Sequence, residues 1–297
     1  MKIGSTVIAE EKCLVMKTEQ HWINLSLAHE EYLKEGGEQP THASRDIVTL
    51  MHQGLFARDF FERIAGFIQK SDNPARYNLE DIPRFSIPLQ PGKIIGIGRN
   101  YKEHAAEMNN PVPDEPIVFC KASSSCIGDS DPVVLQPRYG RVDHEGEIGV
   151  VMGKRAKCIS ADQAFEYIAG YTLLNDITAR TMQKKAASEG KPWFLAKSLD
   201  TFCPVGPVVV LVDTLPWPPQ ITLTLRVNGE IRQQGNTSDM IFSIAGLIAY
   251  VTRHITLEPG DLIATGTPQG VGPIEPGDVL EVFCAEIGIL RNPVVKY

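Results

Sequence analysis

Apolar and polar positions alternate most strictly at residues 221–227, where Ile221, Leu223, Leu225 and Val227 are separated by Thr222, Thr224 and Arg226. A period of two puts one set of side chains on one face of a strand, and Asn228-Gly229 then offers the two positive-φ positions of a tight hairpin. Over 46–68 the period changes: Ile47, Leu50, Met51, Leu55, Phe60, Phe61 and Ile64 recur roughly at helical spacing, which predicts a helical stretch. Two more helices are signalled by their starts. Ser160 with Gln163 forms a capping box ahead of Ala164, Phe165 and Ile168, with Gly170 as a left-handed terminator. Ser238 caps a helix carrying Ile241, Ile244, Leu247, Ile248 and Val251 on one face. Pro-Gly-Asp turns at 259–261 and 276–278 each precede a short apolar strand, Leu262 to Ala264 and Val279 to Phe283, and read as one turn device repeated within a single sheet system.

Pro83, Pro88 and Pro91 interrupt 81–92, a segment that can neither continue a helix nor form a central strand, and a domain boundary is expected there, separating 1–90 from 91–297. Beyond Lys93 strands dominate and do not alternate regularly with helices. The expected class is therefore α+β, with a few helices outside a strand-rich core, and not a doubly wound sheet.

Composition narrows the function. The chain has 297 residues, 43% of them apolar, which suits one or two folded domains and excludes disorder. With 29 Lys and Arg against 36 Asp and Glu it carries a formal charge of −7, so nucleic acid is not an expected partner. Six cysteines without C-x-x-C spacing fit neither a disulfide scaffold nor a zinc ribbon. The first residues lack a secretory apolar region, and the longest nearly apolar run, 240–251, is too short to cross a bilayer. A cytoplasmic protein with no membrane partner is the expectation.

Chemistry concentrates in Val142-Asp143-His144-Glu145-Gly146-Glu147-Ile148-Gly149-Val150-Val151. On a strand, residues two apart point the same way with Cα atoms ~6.6 Å apart, so Glu145 and Glu147 would aim two carboxylates at one volume. The apolar run after them places the strand in the core, where unpaired carboxylates are very costly. A solvated acidic edge strand is the competing interpretation. Asp176, at the end of the apolar strand 171–174, adds a third carboxylate, although it could instead cap a helix beginning at Ile177. Three oxygen donors without a thiolate or histidine pair suit Mg²⁺ or Mn²⁺ better than zinc.

His104 and Glu107 are i and i+3 on a short predicted helix, a spacing that lets a carboxylate orient an imidazole as a general base; an ordinary surface contact has the same spacing. Lys197, in the apolar context Trp193-Phe194-Leu195-Ala196, is placed either to neutralise an oxyanion or simply to snorkel. The glycine-rich loop 265–272 offers backbone N–H groups as a carboxylate or phosphate nest, or is a plain turn. Neither a G-x-S-x-G elbow nor a Walker loop occurs.

Six separated pieces, taken in order, resemble the fumarylacetoacetate hydrolase family over about 93–295. They are Gly98-x-Asn100-Tyr101-x-x-His104-x-x-Glu107, Phe119-x-Lys121, Glu145-x-Glu147, Asn175-Asp176-x-Thr178-x-Arg180, Lys197-Ser198-x-Asp200 and Thr265-Gly266-Thr267-Pro268-x-Gly270-Val271-Gly272. The resemblance implies a mixed β-sandwich roll with the metal at its open mouth, usually in a homodimer, with 1–90 as a small N-terminal α/β accessory domain. It implies that Glu145, Glu147 and Asp176 are metal ligands, that His104 and Glu107 form a dyad that activates water or moves protons, and that Lys197 faces the oxyanion. Arg180, Gln183 and Thr267 match substrate-contacting positions. A fourth carboxylate, found in the animal fumarylacetoacetate hydrolases seven residues before the histidine, is replaced here by Ile97. The chain is thus similar to the three-carboxylate branch that includes acylpyruvate hydrolases and oxaloacetate decarboxylases.

The resemblance implies first a Mg²⁺- or Mn²⁺-dependent hydrolase cleaving a C–C bond in 2,4-dioxo acids of acylpyruvate or fumarylpyruvate type, and second an oxaloacetate decarboxylase or tautomerase. Sugar-acid dehydratases and ureidoglycolate lyases of the same superfamily are a third possibility. A non-catalytic, metal-dependent organic-acid sensor is the reading from another class, and the intact His104, Glu107 and Lys197 speak against it. In each case the ligand is a small dicarboxylic or 2,4-dioxo acid.

Overall fold

The structure is a computed structural model that describes residues 1–37, 45–82, 84–107 and 112–297, the side chains of 104–106 excepted. Pro83 lies outside the described residues. Among these, eleven strands form one sheet. Its path runs Asn78–Leu79, Trp22–Asn24, Glu11–Lys17, Lys2–Ile8, Cys203–Leu211, Ile168–Asn175, Gly146–Met152, Leu262–Ala264, Ile94–Gly98 and Ile117–Lys121, with Cys126–Ile127 pairing onto Cys203–Leu211. The first ninety residues share this sheet with the remainder of the chain, because Lys2, Ile3 and Gly4 stand opposite Val210, Val209 and Val208. A five-stranded sheet (Glu230–Asn236, Thr222–Val227, Val279–Cys284, Gly288–Lys296, Val133–Leu135) lies against the large one. A third, small sheet joins Thr178–Ala179, Val142–His144 and Gly272–Pro273.

Gly146–Met152 shows how the layers are held. Ile148, Val150 and Met152 pack with Leu223, Leu225 and Val282 of the five-stranded sheet, whereas Val151 joins the core of Ile47, Leu50, Phe61 and Ile64 on the other face. Every residue of this strand is buried, as an apolar run covered on both sides requires. The mixed α+β sandwich expected from the sequence is the fold observed.

Asn228 and Gly229, at φ 53° and 83°, make the expected hairpin. Elsewhere the local elements differ from expectation, each for a stated reason. The 46–68 stretch is two helices, Ile47–His52 capped by Asp46 and Arg58–Lys70, separated at Gly54 with φ 70°. Both bury their apolar residues in one core, Ile47, Leu50 and Met51 from the first and Phe60, Phe61 and Ile64 from the second. The capping box at Ser160 and Gln163 starts a 3₁₀ helix, Ala161–Tyr167. Gly170 terminates nothing; it lies within Ile168–Asn175, where a Cβ would stand 2.0 Å from the Val210 carbonyl oxygen. The helix expected from Ser238 begins later, at Ile244, with Ser243 as its cap. Asn100 is the cause, for its backbone carbonyl accepts the N–H of Ile241 (2.7 Å) and its side chain that of Phe242 (2.8 Å), which holds both residues out of the helix. The two Pro-Gly-Asp turns are alike, each Asp accepting the backbone N–H three residues before it, yet they feed strands of different sheets.

Candidate metal centre

Glu145 lies between two strands of different sheets, Val142–His144 and Gly146–Met152, and Glu147 lies one residue inside the second. Asp176 follows the neighbouring strand Ile168–Asn175 and is tied across by its own N–H to the Glu145 carbonyl, 2.8 Å. The Asn175 side chain accepts the Glu145 N–H at 2.9 Å. These bonds fix the backbone so that one carboxylate oxygen from each of Glu145, Glu147 and Asp176 lies within 4.8 Å of the others, with all three residues buried. Hard oxygen donors converging in a buried site fit an octahedral cation of the Mg²⁺ or Mn²⁺ type, with open positions for water or a chelating acid. Asp176 does not cap a helix; the next helix begins at Arg180.

Cations balance this cluster. Lys197 Nζ donates to Glu145 Oε2 at 2.7 Å and to Asp176 Oδ2, and it lies 4.8 Å from the centre of the Phe119 ring. Lys121 Nζ donates to Asp176 Oδ1 at 2.7 Å and to the Lys197 carbonyl. The Arg180 guanidinium is engaged along its whole edge, by Nε to Asp143 (2.7 Å), by Nη1 to Gln183 (2.6 Å) and by Nη2 to Glu145. Burial by itself would lower the pKa of Lys197, but the charges of Asp176 and Glu145 outweigh it and hold the ammonium above the usual lysine range. Glu147 has the opposite environment. Burial, then the charges of Asp176 and Glu145, push its carboxyl well above the ordinary glutamate range, against the pull of Lys197 and of a 2.8 Å bond from the Gly266 N–H. Excess negative charge at this point is what a divalent cation would relieve.

Arg180, Gln183 and Thr267 line a cavity of about 70 Å³ together with Glu145, Glu147, Phe119 and Trp193. The glycine-rich loop is no empty nest: Gly266 N–H serves Glu147, and Gly270 N–H serves Glu107 at 3.1 and 3.2 Å to its two oxygens. Glu107 ends the helix Lys102–Glu107 and is exposed. The backbone of His104 is in that helix, and its side chain lies outside the described residues. Residues without an assigned role in the sequence reading complete the frame. Besides Lys121 and Asp143 there is Gln233, 1% exposed and the one buried residue of its strand, which accepts the N–H of Gly146 (3.0 Å) and donates to Thr267 Oγ1 and the Pro268 carbonyl (both 2.7 Å). His144 Nδ1 is 3.0 Å from the same Gln233 oxygen, and burial lowers the pKa of this imidazole.

A family model for the fumarylacetoacetate (FAA) hydrolase C-terminal region matches residues 93–295. The chain belongs to the fumarylacetoacetate hydrolase family. It is 40% identical over 250 residues to a mitochondrial oxaloacetate tautomerase of Xenopus laevis, covering 80% of this chain and 78% of the relative. It is 43% identical over 228 residues to a 2,4-didehydro-3-deoxy-L-rhamnonate hydrolase of Sphingomonas sp., covering 74% and 79%. The solved fumarylacetoacetate hydrolase of Exiguobacterium antarcticum superposes with TM-score 0.80 at 30% identity over the full length of both chains. As a member of the fumarylacetoacetate hydrolase family the chain is an enzyme of a group that includes hydrolases, isomerases and tautomerases. Among the described residues no helix is long and apolar enough to cross a membrane.

Proposed function

We propose that this chain is a divalent-metal-dependent enzyme that enolises a 2-oxo dicarboxylic acid, with oxaloacetate tautomerisation as the reaction. The observation that carries this reading is the convergence of Glu145, Glu147 and Asp176 within 4.8 Å, with an ammonium on two of them. Relatives named as oxaloacetate tautomerases, matched over 69–80% of this chain, favour tautomerisation over the hydrolysis placed first from sequence. Mg²⁺ or Mn²⁺ held by the three carboxylates would supply Lewis-acid polarisation of the keto oxygen. Lys197 neutralises charge developing on that oxygen, and Arg180, fixed by Asp143 and Gln183, orients the adjacent carboxylate. His104 moves the proton at carbon, with Glu107 orienting it from the end of the same helix. Thr267 closes the cavity beside Glu147.

Hydrolysis of a C–C bond in 2,4-dioxo acids is the second reading, favoured by the rhamnonate-type hydrolase relative and served by the same dyad activating water. The homodimer, the cytoplasmic location and the assignment of 1–90 as an accessory domain belong to the same proposal; a solution mass measured at twice the 32.7 kDa of one chain would support the first, and a mass of 32.7 kDa would overturn it. The deciding experiment adds Mg²⁺ or Mn²⁺ to purified protein and follows enol loss from oxaloacetate, CO₂ release, and cleavage of acetylpyruvate and fumarylpyruvate. Accelerated ketonisation of oxaloacetate with both acylpyruvates intact is the expected result. Acylpyruvate cleavage without ketonisation would reverse the order of the two readings.

A further inference from the structure

Two arginines line the cavity beside the carboxylate cluster, and they are in different states. In the proposed reaction Arg180, held by Asp143, Glu145 and Gln183, serves the 2-oxo carboxylate. Lys197, paired with Glu145 and Asp176, serves the keto oxygen in the same reaction. Arg99 stands on the same wall near Glu145, Glu147 and Gln183, and among the described residues no carboxylate pairs with it.

The backbone presents Arg99 deliberately. Its φ is 57°, a left-handed conformation that an L-residue adopts only where surrounding structure imposes it. The imposition comes from Asn100, fully buried, whose side chain donates to the carbonyls of Thr265 (2.8 Å) and Phe242 (3.1 Å) while accepting the N–H of Phe242. Gly266, at φ 98°, lets the opposite loop close on this turn, where a Cβ would stand 2.7 Å from that of Asn100. One residue is locked inside, and its neighbour is held half-buried at the cavity rim.

Charge completes the case. The buried carboxylates of Asp143, Glu145, Glu147 and Asp176 outnumber the buried cations Lys121, Lys197 and Arg180 by one. Arg141, with 52% of its side chain exposed, lies outside this buried set and is screened by solvent. A divalent ion in the cluster turns this deficit into an excess of one positive charge, and Arg99 makes it two. A dianion neutralises that excess, whereas a monoanion does not.

We propose that Arg99 binds the second carboxylate of a dicarboxylic 2-oxo acid and thereby makes this site selective for diacids over monoacids. The proposal rests on the reading of the carboxylate cluster as the place where the 2-oxo carboxylate end is held. A guanidinium takes a carboxylate through two parallel N–H bonds, and a methyl group in its place makes none.

The test is a calorimetric titration of Mg²⁺-loaded protein with two four-carbon acids, oxaloacetate and 2-oxobutanoate, which share the 2-oxo carboxylate and differ in the far carboxylate. The native protein is expected to bind oxaloacetate ~10–100-fold more tightly, the range for a charge-assisted hydrogen-bonded pair. Arg99→Gln should bring the ratio to within ~3-fold, and Arg99→Lys should retain part of it. Arg99→Gly, which suits the positive φ, repeats the Gln result without backbone strain and guards against a folding defect. Equal affinities in the native protein, or an unchanged ratio in both Arg99→Gln and Arg99→Gly, would overturn the role of Arg99 while leaving the metal reading intact. Failure of the native protein to bind either acid in the presence of Mg²⁺ would overturn both.

Discussion

Lys197 Nζ lies 2.7 Å from Glu145 Oε2 and also donates to Asp176, so one ammonium bridges two of the three carboxylates that would hold a cation. An ammonium and a metal at these carboxylates would compete for the same oxygens, and the role proposed for Lys197 at the substrate oxygen would be the reason to keep the competitor.

Lys197→Met should therefore separate binding from turnover. Removing the ammonium frees two anionic donors, and Mn²⁺ affinity is expected to rise by about tenfold while turnover falls by about 10²-fold, the loss typical of a missing oxyanion partner. In chelator the variant should be less stable by about 3–5 kcal/mol, because breaking a buried pair leaves uncompensated charge. Mn²⁺ titration with urea denaturation measures both, and weakened metal binding would contradict the competition.

The raised pKa of Glu147 gives a pH dependence of definite sign. A group whose folded pKa lies above its unfolded value adds stability below the unfolded pKa and loses it as pH climbs through the folded one. Burial first, and then Asp176 and Glu145, set this direction. In chelator, Tm of the native protein relative to Glu147→Gln should fall as pH rises from about 4.3 through the raised pKa of Glu147. Saturating Mg²⁺ should remove the difference in slope and bind the variant more weakly. Parallel Tm curves in chelator would show that Glu147 ionises as freely as an exposed glutamate.

The spacing of Glu145 and Glu147, the apolar run after them and the position of Asp176 at a strand end were legible because each follows from local geometry and the cost of burying charge. The compensation of that charge was not. Lys121 pairs with Asp176 across 55 positions and Arg180 with Asp143 across 37, and no local period encodes such pairings. Gln233 is the one buried residue of a strand whose other members are exposed or half-buried, and the 267–270 loop bonds to its side chain. Gly170 misled for a related reason: a glycine that ends a helix and one that admits a neighbouring carbonyl look the same in sequence.

Asp143 is the hidden member of that network, 1% exposed and held by the Nε atoms of Arg180 and Arg141 at 2.7 Å each. Asp143→Asn turns an amide toward two guanidinium groups, and a loss of about 2–4 kcal/mol is expected from the uncompensated Arg180. Arg141→Gln removes the half-exposed partner and should cost no more than about 1 kcal/mol. Urea midpoints of the two variants give the comparison; equal losses would mean that Arg180 does not depend on Asp143.

Two glycines with positive φ separate the cost of strain from the cost of a collision. At Gly277 a Cβ meets nothing within 4 Å, so Gly277→Ala should lose only about 1 kcal/mol from its unfavourable backbone conformation. At Gly270 a Cβ would stand 1.9 Å from the Arg232 carbonyl oxygen, and the loop must move to admit it. Gly270→Ala should cost about 3 kcal/mol or more. It should also cut turnover with Mg²⁺, since the Gly270 N–H that holds both oxygens of Glu107 moves with the loop. Thermal melts and turnover of the two variants check the contrast. Gly270→Ala melting with Gly277→Ala and keeping full turnover would mean that neither the packing of this loop nor its grip on Glu107 matters to the enzyme.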